Sequence, residues 1–214
     1  MTQETRKIRL IMQLRREGIT NTRALAALER VPREMFVPER LADRAYDNSA
    51  LPIGKGQTIS QPYVVAAMTD KLDVGPRMKV LEVGTGSGYQ AAVLAPLCRR
   101  LYTIERDREL LHAAEQRFKE LGIRNIVTWL GDGAKGWPEQ APFDRIIVTA
   151  AAPRIPPRLL DQLAVGGIMV LPVGTDDFEQ DLIRVRRTED GHETEKLFPV
   201  RFVPLVSDVL ADEE

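Results

Sequence analysis

From residue 79 onward short apolar runs alternate with amphipathic segments, and this alternation constrains the fold more than any other feature. The runs are 80–83 (VLEV), 101–104 (LYTI), 126–129 (IVTW), 145–148 (RIIV) and 168–171 (IMVL), with helical spacing in 90–97, 109–121 and 158–163. Runs this short, separated by helices, read as parallel strands joined by right-handed crossovers and covered on both faces. The expected fold class is α/β, with a doubly wound, mostly parallel sheet. Residues 182–187 and 201–206 are strand-like with no helix between them, which predicts an antiparallel edge on the C-terminal side.

The first sixty residues are of another kind. Ile8, Ile11 and Leu14 recur at helical spacing, and Gly18 ends that segment. A second helix starts with Asn21 as N-cap, carries Leu25 and Leu28, and breaks at Val31-Pro32. Pro52, Gly54 and Gly56 make 46–57 a loop with unusual backbone angles rather than a regular element. Behind it Val64, Val65, Met68 and Leu72 mark a helix, with Ser60 in the N-cap position and Pro62 in the first turn. Residues 211–214 read as a frayed end.

Composition narrows the classes of partner. The chain has 214 residues, 30 Lys and Arg against 31 Asp and Glu, and a net charge of −1. That balance argues against nucleic acid, because neutralising phosphates needs a clustered basic excess. Cys98 is the single cysteine and His112 and His192 are the two histidines, so neither a disulfide nor a metal site is expected. The N-terminal segment lacks the apolar stretch of a signal peptide, and no run of about 18 apolar residues occurs. The expectation is a cytoplasmic protein with no membrane partner, and a monomer.

Gly84, Gly86 and Gly88 follow the first apolar run and precede a helix, where glycines let a ligand approach the backbone. Tyr89 stands where a dinucleotide fingerprint needs a small residue, so the pattern is GxGxG and NAD or FAD is disfavoured. Glu105 ends the next run, 21 residues after Gly84. An acid there is placed to accept hydrogen bonds from both ribose hydroxyls; a surface pairing with Arg106 or Arg108 is the competing role. Glu82 lies inside an apolar strand, where a carboxylate costs on the order of several kcal/mol unless paired. An ammonium group on a ligand would satisfy it. Asp132, in Gly131-Asp132-Gly133 after the third run, can accept from an adenine amino group or simply make a tight turn. The glycine loop behind Glu82, then Glu105, then Asp132 fall at the ends of three successive predicted strands, in the crevice beyond the sheet's carboxyl edge.

Glu82-Val83-Gly84-Thr85-Gly86-Ser87-Gly88, with Glu105 and Asp132-Gly133 behind it, resembles the cofactor site of the class I S-adenosylmethionine-dependent methyltransferases. The ligand chemistry agrees, since this cofactor has a ribose and an amino acid but no phosphate. The amine-binding Asn/Asp-Pro-Pro-aromatic pattern is absent after the fourth run, which reads Val148-Thr149-Ala150-Ala151-Ala152-Pro153. That absence suits an acceptor already ionised at neutral pH, such as a carboxylate with a pKa of about 4.

Residues 48–62 (NSALPIGKGQTISQP) strongly resemble the substrate-side loop of the protein-L-isoaspartate O-methyltransferase family, and 30–38, 166–174 and 201–206 match it too. The resemblance spans 8–206 and implies methyl ester formation on isoaspartyl carboxylates of damaged proteins and peptides, with S-adenosyl-L-homocysteine as product. It implies an active-site role for Ser60, whose hydroxyl positions the acceptor. It also implies that Gln57, Thr58 and Ile59 wrap the cofactor and that the backbone near Val203 pairs with an extended substrate, in the manner of strand addition. Tyr63 departs from family members that carry His there. The implied organisation is a helical and substrate-loop extension over 1–60, packed on a single cofactor-binding catalytic unit over 61–214.

Overall fold

The computed structural model describes residues 2–175 and 179–206. Two amphipathic helices open the chain. In α1 (Gln3–Arg16) Leu10, Ile11 and Leu14 turn inward, whereas Ile8, expected on the same stripe, stays 45% exposed. Asn21 caps α2 (Thr22–Arg30) as expected, its side-chain oxygen accepting the Arg23 and Ala24 amides, and the helix stops at Val31 before Pro32.

The expected irregular loop over 46–57 is instead a small hairpin of β1 (Leu51–Gly54) and β2 (Gln57–Ile59). The unusual angles are there, with positive φ at Gly54, Lys55 and Gly56, but they form the turn of a paired ribbon. Helix α3 (Pro62–Leu72) follows, and the alternation then runs as read: β3 (Lys79–Val83), α4 (Tyr89–Leu94), β4 (Arg100–Glu105), α5 (Arg108–Glu120), β5 (Ile126–Leu130), β6 (Phe143–Val148), α6 (Pro157–Gln162) and β7 (Leu163–Val173). The last strands are β8 (Gln180–Arg187) and β9 (His192–Val200).

The main sheet has the order β5-β4-β3-β6-β7-β8-β9, parallel from β5 through β7 and antiparallel at β8 and β9. The antiparallel edge is real, but 192–200 supplies its second strand in place of 201–206. The charged sequence HETEKLFPV hides a strand whose burial pattern is almost entirely exposed or intermediate, so it carries little apolar alternation to read. Residues 201–206 make only an isolated bridge, Ala151 with Pro204. The expectation of fraying over 211–214 lies outside the described residues.

Alternation along the strands sorts the core into two layers. Leu81, Val83, Ile104, Ile146 and Val148 pack on the face covered by Leu159 of α6. Val80, Leu101, Ile147 and Val170 share the other face with Leu14, Leu25, Phe36, Met68 and Phe118, so the N-terminal helices and the sheet enclose one core. Among the described residues no helix is long and apolar enough to cross a membrane.

Candidate active site

The glycine loop leaves β3 because its first and third glycines meet demands of the protein's own packing. Gly84 has φ +94°, and a Cβ there would lie 2.4 Å from Thr149 Oγ1, which donates to the Gly84 carbonyl at 2.6 Å. Gly88 has φ +87°, and a Cβ would lie 2.8 Å from the Phe118 ring of α5. Around Gly86 the nearest atom to such a Cβ is Ile53 Cδ1 at 3.9 Å, so this backbone is open to a ligand.

Above the loop lies a cleft of about 500 Å³, at the carboxyl ends of β3, β4 and β6, where the strand order reverses between β3 and β6. Of the residues singled out from sequence, Gln57, Thr58, Ile59, Ser60, Gly84, Thr85, Gly86, Ser87, Glu105, Gly133 and Val203 line it. Glu82, Gly88 and Asp132 do not.

Glu105 is 7% exposed, which removes the surface-pairing alternative. Its Oε2 accepts the Gly86 amide at 2.8 Å, and its Oε1 accepts the Arg106 and Asp107 amides at 2.8 and 3.1 Å. Three main-chain donors thus orient one carboxylate on the cleft wall. Glu82 is fully buried one layer deeper. Its Oε2 accepts the Thr103 hydroxyl at 2.5 Å, and Thr103 Oγ1 in turn sits 2.6 Å from Thr85 Oγ1. Since the Thr103 proton is committed to Glu82, Thr85 donates to Thr103, and this relay joins Glu82 to the cleft. Burial, more than the nearby Glu105 charge, pushes the Glu82 carboxyl up to about 8, against the opposing Thr103 hydrogen bond. Its Oε1 has no hydrogen-bond partner.

Asp132 takes the turn role. Its Oδ1 accepts the Ala134 amide at 2.9 Å and its Oδ2 stands 3.4 Å from Lys135 Nζ, while Gly133 alone of this pair reaches the cleft.

Ser60 departs from its expected N-cap position. Gln61 caps α3 without a side-chain bond, and Pro62 at the first position has no amide to satisfy. The first free amide, that of Tyr63, is accepted at 3.0 Å by Asn48 Oδ1. Ser60 is therefore released from capping and lines the cleft.

The 201–206 segment forms the facing wall. The Val203 carbonyl accepts the Ala151 amide at 2.8 Å and the Leu205 amide donates to the Ala151 carbonyl at 2.7 Å. Gln180, 4% exposed, grips the other edge: its side chain accepts the Phe202 amide at 2.6 Å and donates to the Phe202 carbonyl at 3.0 Å. The Val203 carbonyl is thereby engaged within the protein.

Sequence reasoning missed several wall residues. Thr149 and Ala150 follow the fourth apolar run as directly as the glycine loop follows the first, and that position was their signal. Tyr89 served only to exclude a dinucleotide, yet it lines the cleft. Leu110 and Lys55 carried no local signal.

The residues present suit S-adenosylmethionine. The cleft has the volume of a nucleoside-sized ligand site. Gly86 leaves the backbone bare, Glu105 offers an oriented carboxylate, and the Thr85–Thr103 hydroxyls link the cleft to the buried Glu82, whose Oε1 has no hydrogen-bond partner. Fold and site together define a class I S-adenosylmethionine-dependent methyltransferase. Residues 5–210 match the family model for protein-L-isoaspartate(D-aspartate) O-methyltransferase, and the chain belongs to that family.

Relatives support the assignment along nearly the full length. The chain is 62% identical to the protein-L-isoaspartate O-methyltransferase of Parvibaculum lavamentivorans, over 96% of this chain and 94% of that one. It is 63% identical to that of Rhodospirillum rubrum, over 96% and 95%. Among solved structures it resembles a Plasmodium falciparum chain described as a protein-L-isoaspartate O-methyltransferase and crystallised with S-adenosyl-L-homocysteine. The TM-score there is 0.80 at 25% identity, covering 92% of this chain and 96% of that one.

Proposed function

We propose that Ser60 and the main chain around Val203 present the free carboxylate of an isoaspartyl residue to a methyl donor held over the glycine loop. The activity is transfer of a methyl group from S-adenosylmethionine to that carboxylate in damaged proteins and peptides, which initiates repair. The observation that carries the site reading is the release of Ser60: Asn48 supplies the α3 cap, so the serine hydroxyl is available at the cleft.

When bound, S-adenosylmethionine supplies an electrophilic sulfonium methyl. A carboxylate with a pKa of about 4 is ionised at neutral pH, so no general base is required. Neither histidine lines the cleft, consistent with that chemistry. The Ser60 hydroxyl donates to one carboxylate oxygen and leaves the other to attack. Gln57, Thr58 and Ile59 cover the donor from the hairpin side, and Glu105 and the open Gly86 backbone hold its nucleoside end. The chain's contribution is alignment and exclusion of water. The neighbouring peptide nitrogen then attacks the ester carbonyl and expels the methoxy group, which leaves as methanol with the N–H proton; the succinimide so closed is opened by water, in part to aspartate.

We further read the chain as a cytoplasmic monomer with no nucleic-acid or membrane partner, with 1–60 as an extension on the catalytic unit. Support comes from the net charge of −1 and from the scatter of the exposed large apolar residues Ile8, Met12, Val165 and Val206. The test of function uses labelled S-adenosylmethionine with paired isoaspartyl and aspartyl peptides. Base-labile label on the isoaspartyl peptide alone is expected; equal labelling of both, or none, refutes the substrate reading.

A further inference from the structure

Arg33 is the largest fully buried side chain in the described structure, with 0% exposure, in the short 3-10 turn Arg33–Phe36. Its guanidinium packs on Tyr89, with Tyr46 nearby, and donates to two carbonyls, while Nη1 is left without a hydrogen-bond partner. Nε donates to the Ala45 carbonyl and Nη2 to the Ser60 carbonyl, both at 2.8 Å, and Cζ lies 4.7 Å from the centre of the Tyr89 ring. Burying a cation in this way is costly, and burial lowers its pKa, yet arginine stays charged. A guanidinium retained under such conditions calls for a reason.

The two carbonyls supply it. Between Ala45 and Ser60 the chain forms the β1–β2 hairpin along the cleft, held to the core by Tyr46, Leu51 and Ile59. Arg33 bonds the first and last residues of that segment, closing the hairpin at its neck. The ring it stacks on is the first residue after the glycine loop and is itself a cleft residue. Phe36 meets the same ring edge-on at 5.3 Å, and Arg117 bonds both the Met35 carbonyl at 2.8 Å and the Ser87 carbonyl at 3.1 Å. One turn thus touches the acceptor side through Ser60 and the donor side through Tyr89 and Ser87.

We propose that Arg33 is a positioning residue that clamps the neck of the hairpin and fixes Ser60 relative to the glycine loop, so that acceptor and methyl donor meet in line. This rests on the isoaspartyl reading only for its turnover assay. A displacement of about 1 Å at Ser60 is enough to cost 10²-fold in a reaction governed by alignment. The planar fork matters more than the charge, since lysine keeps the charge but carries its three donors on one nitrogen, whereas the two carbonyls here are held by Nε and Nη2.

The test compares the parent with Arg33→Lys, Arg33→Ala and, as a matched destabilised control, Leu14→Ala. Hydrogen–deuterium exchange over 45–60, read without any substrate, is expected to quicken at least about tenfold in Arg33→Lys, with α6 unchanged and Leu14→Ala showing no such local effect. With the isoaspartyl peptide, kcat of Arg33→Lys is expected to fall about tenfold or more, while the KM for S-adenosylmethionine stays within about threefold. Guanidinium ion, unlike ammonium, should restore part of the kcat of Arg33→Ala. Unchanged exchange in Arg33→Lys overturns the clamp. So does a kcat loss shared equally by Leu14→Ala, or one that guanidinium fails to relieve. A parent that does not methylate the isoaspartyl peptide refutes the substrate reading instead, and the exchange result still judges Arg33.

Discussion

Asn48 Oδ1 accepts the Tyr63 amide at 3.0 Å, so the N-terminus of α3 is capped by a residue from before the hairpin. Asn48 Nδ2 also reaches Glu17 of the α1 end at 3.1 Å, which ties the cap to the N-terminal layer. The cap separates two duties that a Ser-x-Pro segment would otherwise place on one side chain. Ser60 then answers only to the cleft.

That division predicts opposite signatures for two alanine variants. Ser60→Ala should abolish most turnover yet change stability by less than about 0.5 kcal/mol, as for a side chain outside any cap. Asn48→Ala should lose about 1 kcal/mol, the ordinary worth of a cap. Thermal melts beside kcat measurements decide it; a cap-sized stability loss in Ser60→Ala would return the serine to the helix.

Glu82 predicts a pH dependence. Its folded-state carboxyl titrates at about 8, against 4.5 when unperturbed. Because the folded state holds the proton more tightly, the associated stability is fully present below pH 4.5 and is lost as pH rises through about 8. The loss across that window is on the order of a few kcal/mol. Denaturant midpoints from pH 5 to 8.5 should therefore fall more steeply for the parent than for Glu82→Gln, which has no proton to release. Parallel curves would show that Glu82 is ionised in the folded protein throughout.

Two of the loop glycines, Gly88 and Gly86, should separate in the same manner. Gly88→Ala forces a Cβ to within 2.8 Å of the Phe118 ring and 3.0 Å of Ala114, and should cost more than about 2 kcal/mol. Gly86→Ala meets nothing nearer than 3.9 Å and should cost about 1 kcal/mol, from its left-handed backbone alone. Titration calorimetry should nonetheless show weaker S-adenosylmethionine binding for Gly86→Ala, because the new methyl group occupies the open approach. Unchanged affinity there would mean the donor does not lie over Gly86.

Gln180 makes a prediction about the acceptor. Its side chain bonds both main-chain groups of Phe202, so Gln180→Leu should loosen the 201–206 wall while leaving the glycine loop intact. Peptide KM should rise several-fold and the dissociation constant for S-adenosylmethionine should hold. A shared loss of both would place Gln180 in general stability instead of the peptide wall.

The alternating runs from residue 79 made the parallel sheet legible, because a strand buried on both faces leaves an apolar signature in its own residues. β9 lacked that signature: its side chains are mostly exposed or half-buried, so the strand is held by its ladder to β8 and not by apolar alternation. The glycine loop and Glu105 were legible because covalent spacing alone carries them to the strand ends. Glu82 was legible as anomalous, but its removal from the cleft wall was not. That distance depends on Thr103, 21 residues away and brought beside it by strand register.

What the sequence by itself determined was the set of strands around the glycine loop, the kind of ligand that loop accepts, and the family. The strands follow from periodicity, the ligand class from the spacing of the glycines and acids, and the family from the resemblance carried by 48–62 and the segments 30–38, 166–174 and 201–206. Tertiary structure decided which polar groups are free. Asn48 caps the Tyr63 amide across 15 positions, Arg33 anchors the Ser60 carbonyl across 27, and Asp132 contacts its own turn and Lys135. Most buried donors and acceptors find a partner, and which one depends on what folding brings within about 3 Å.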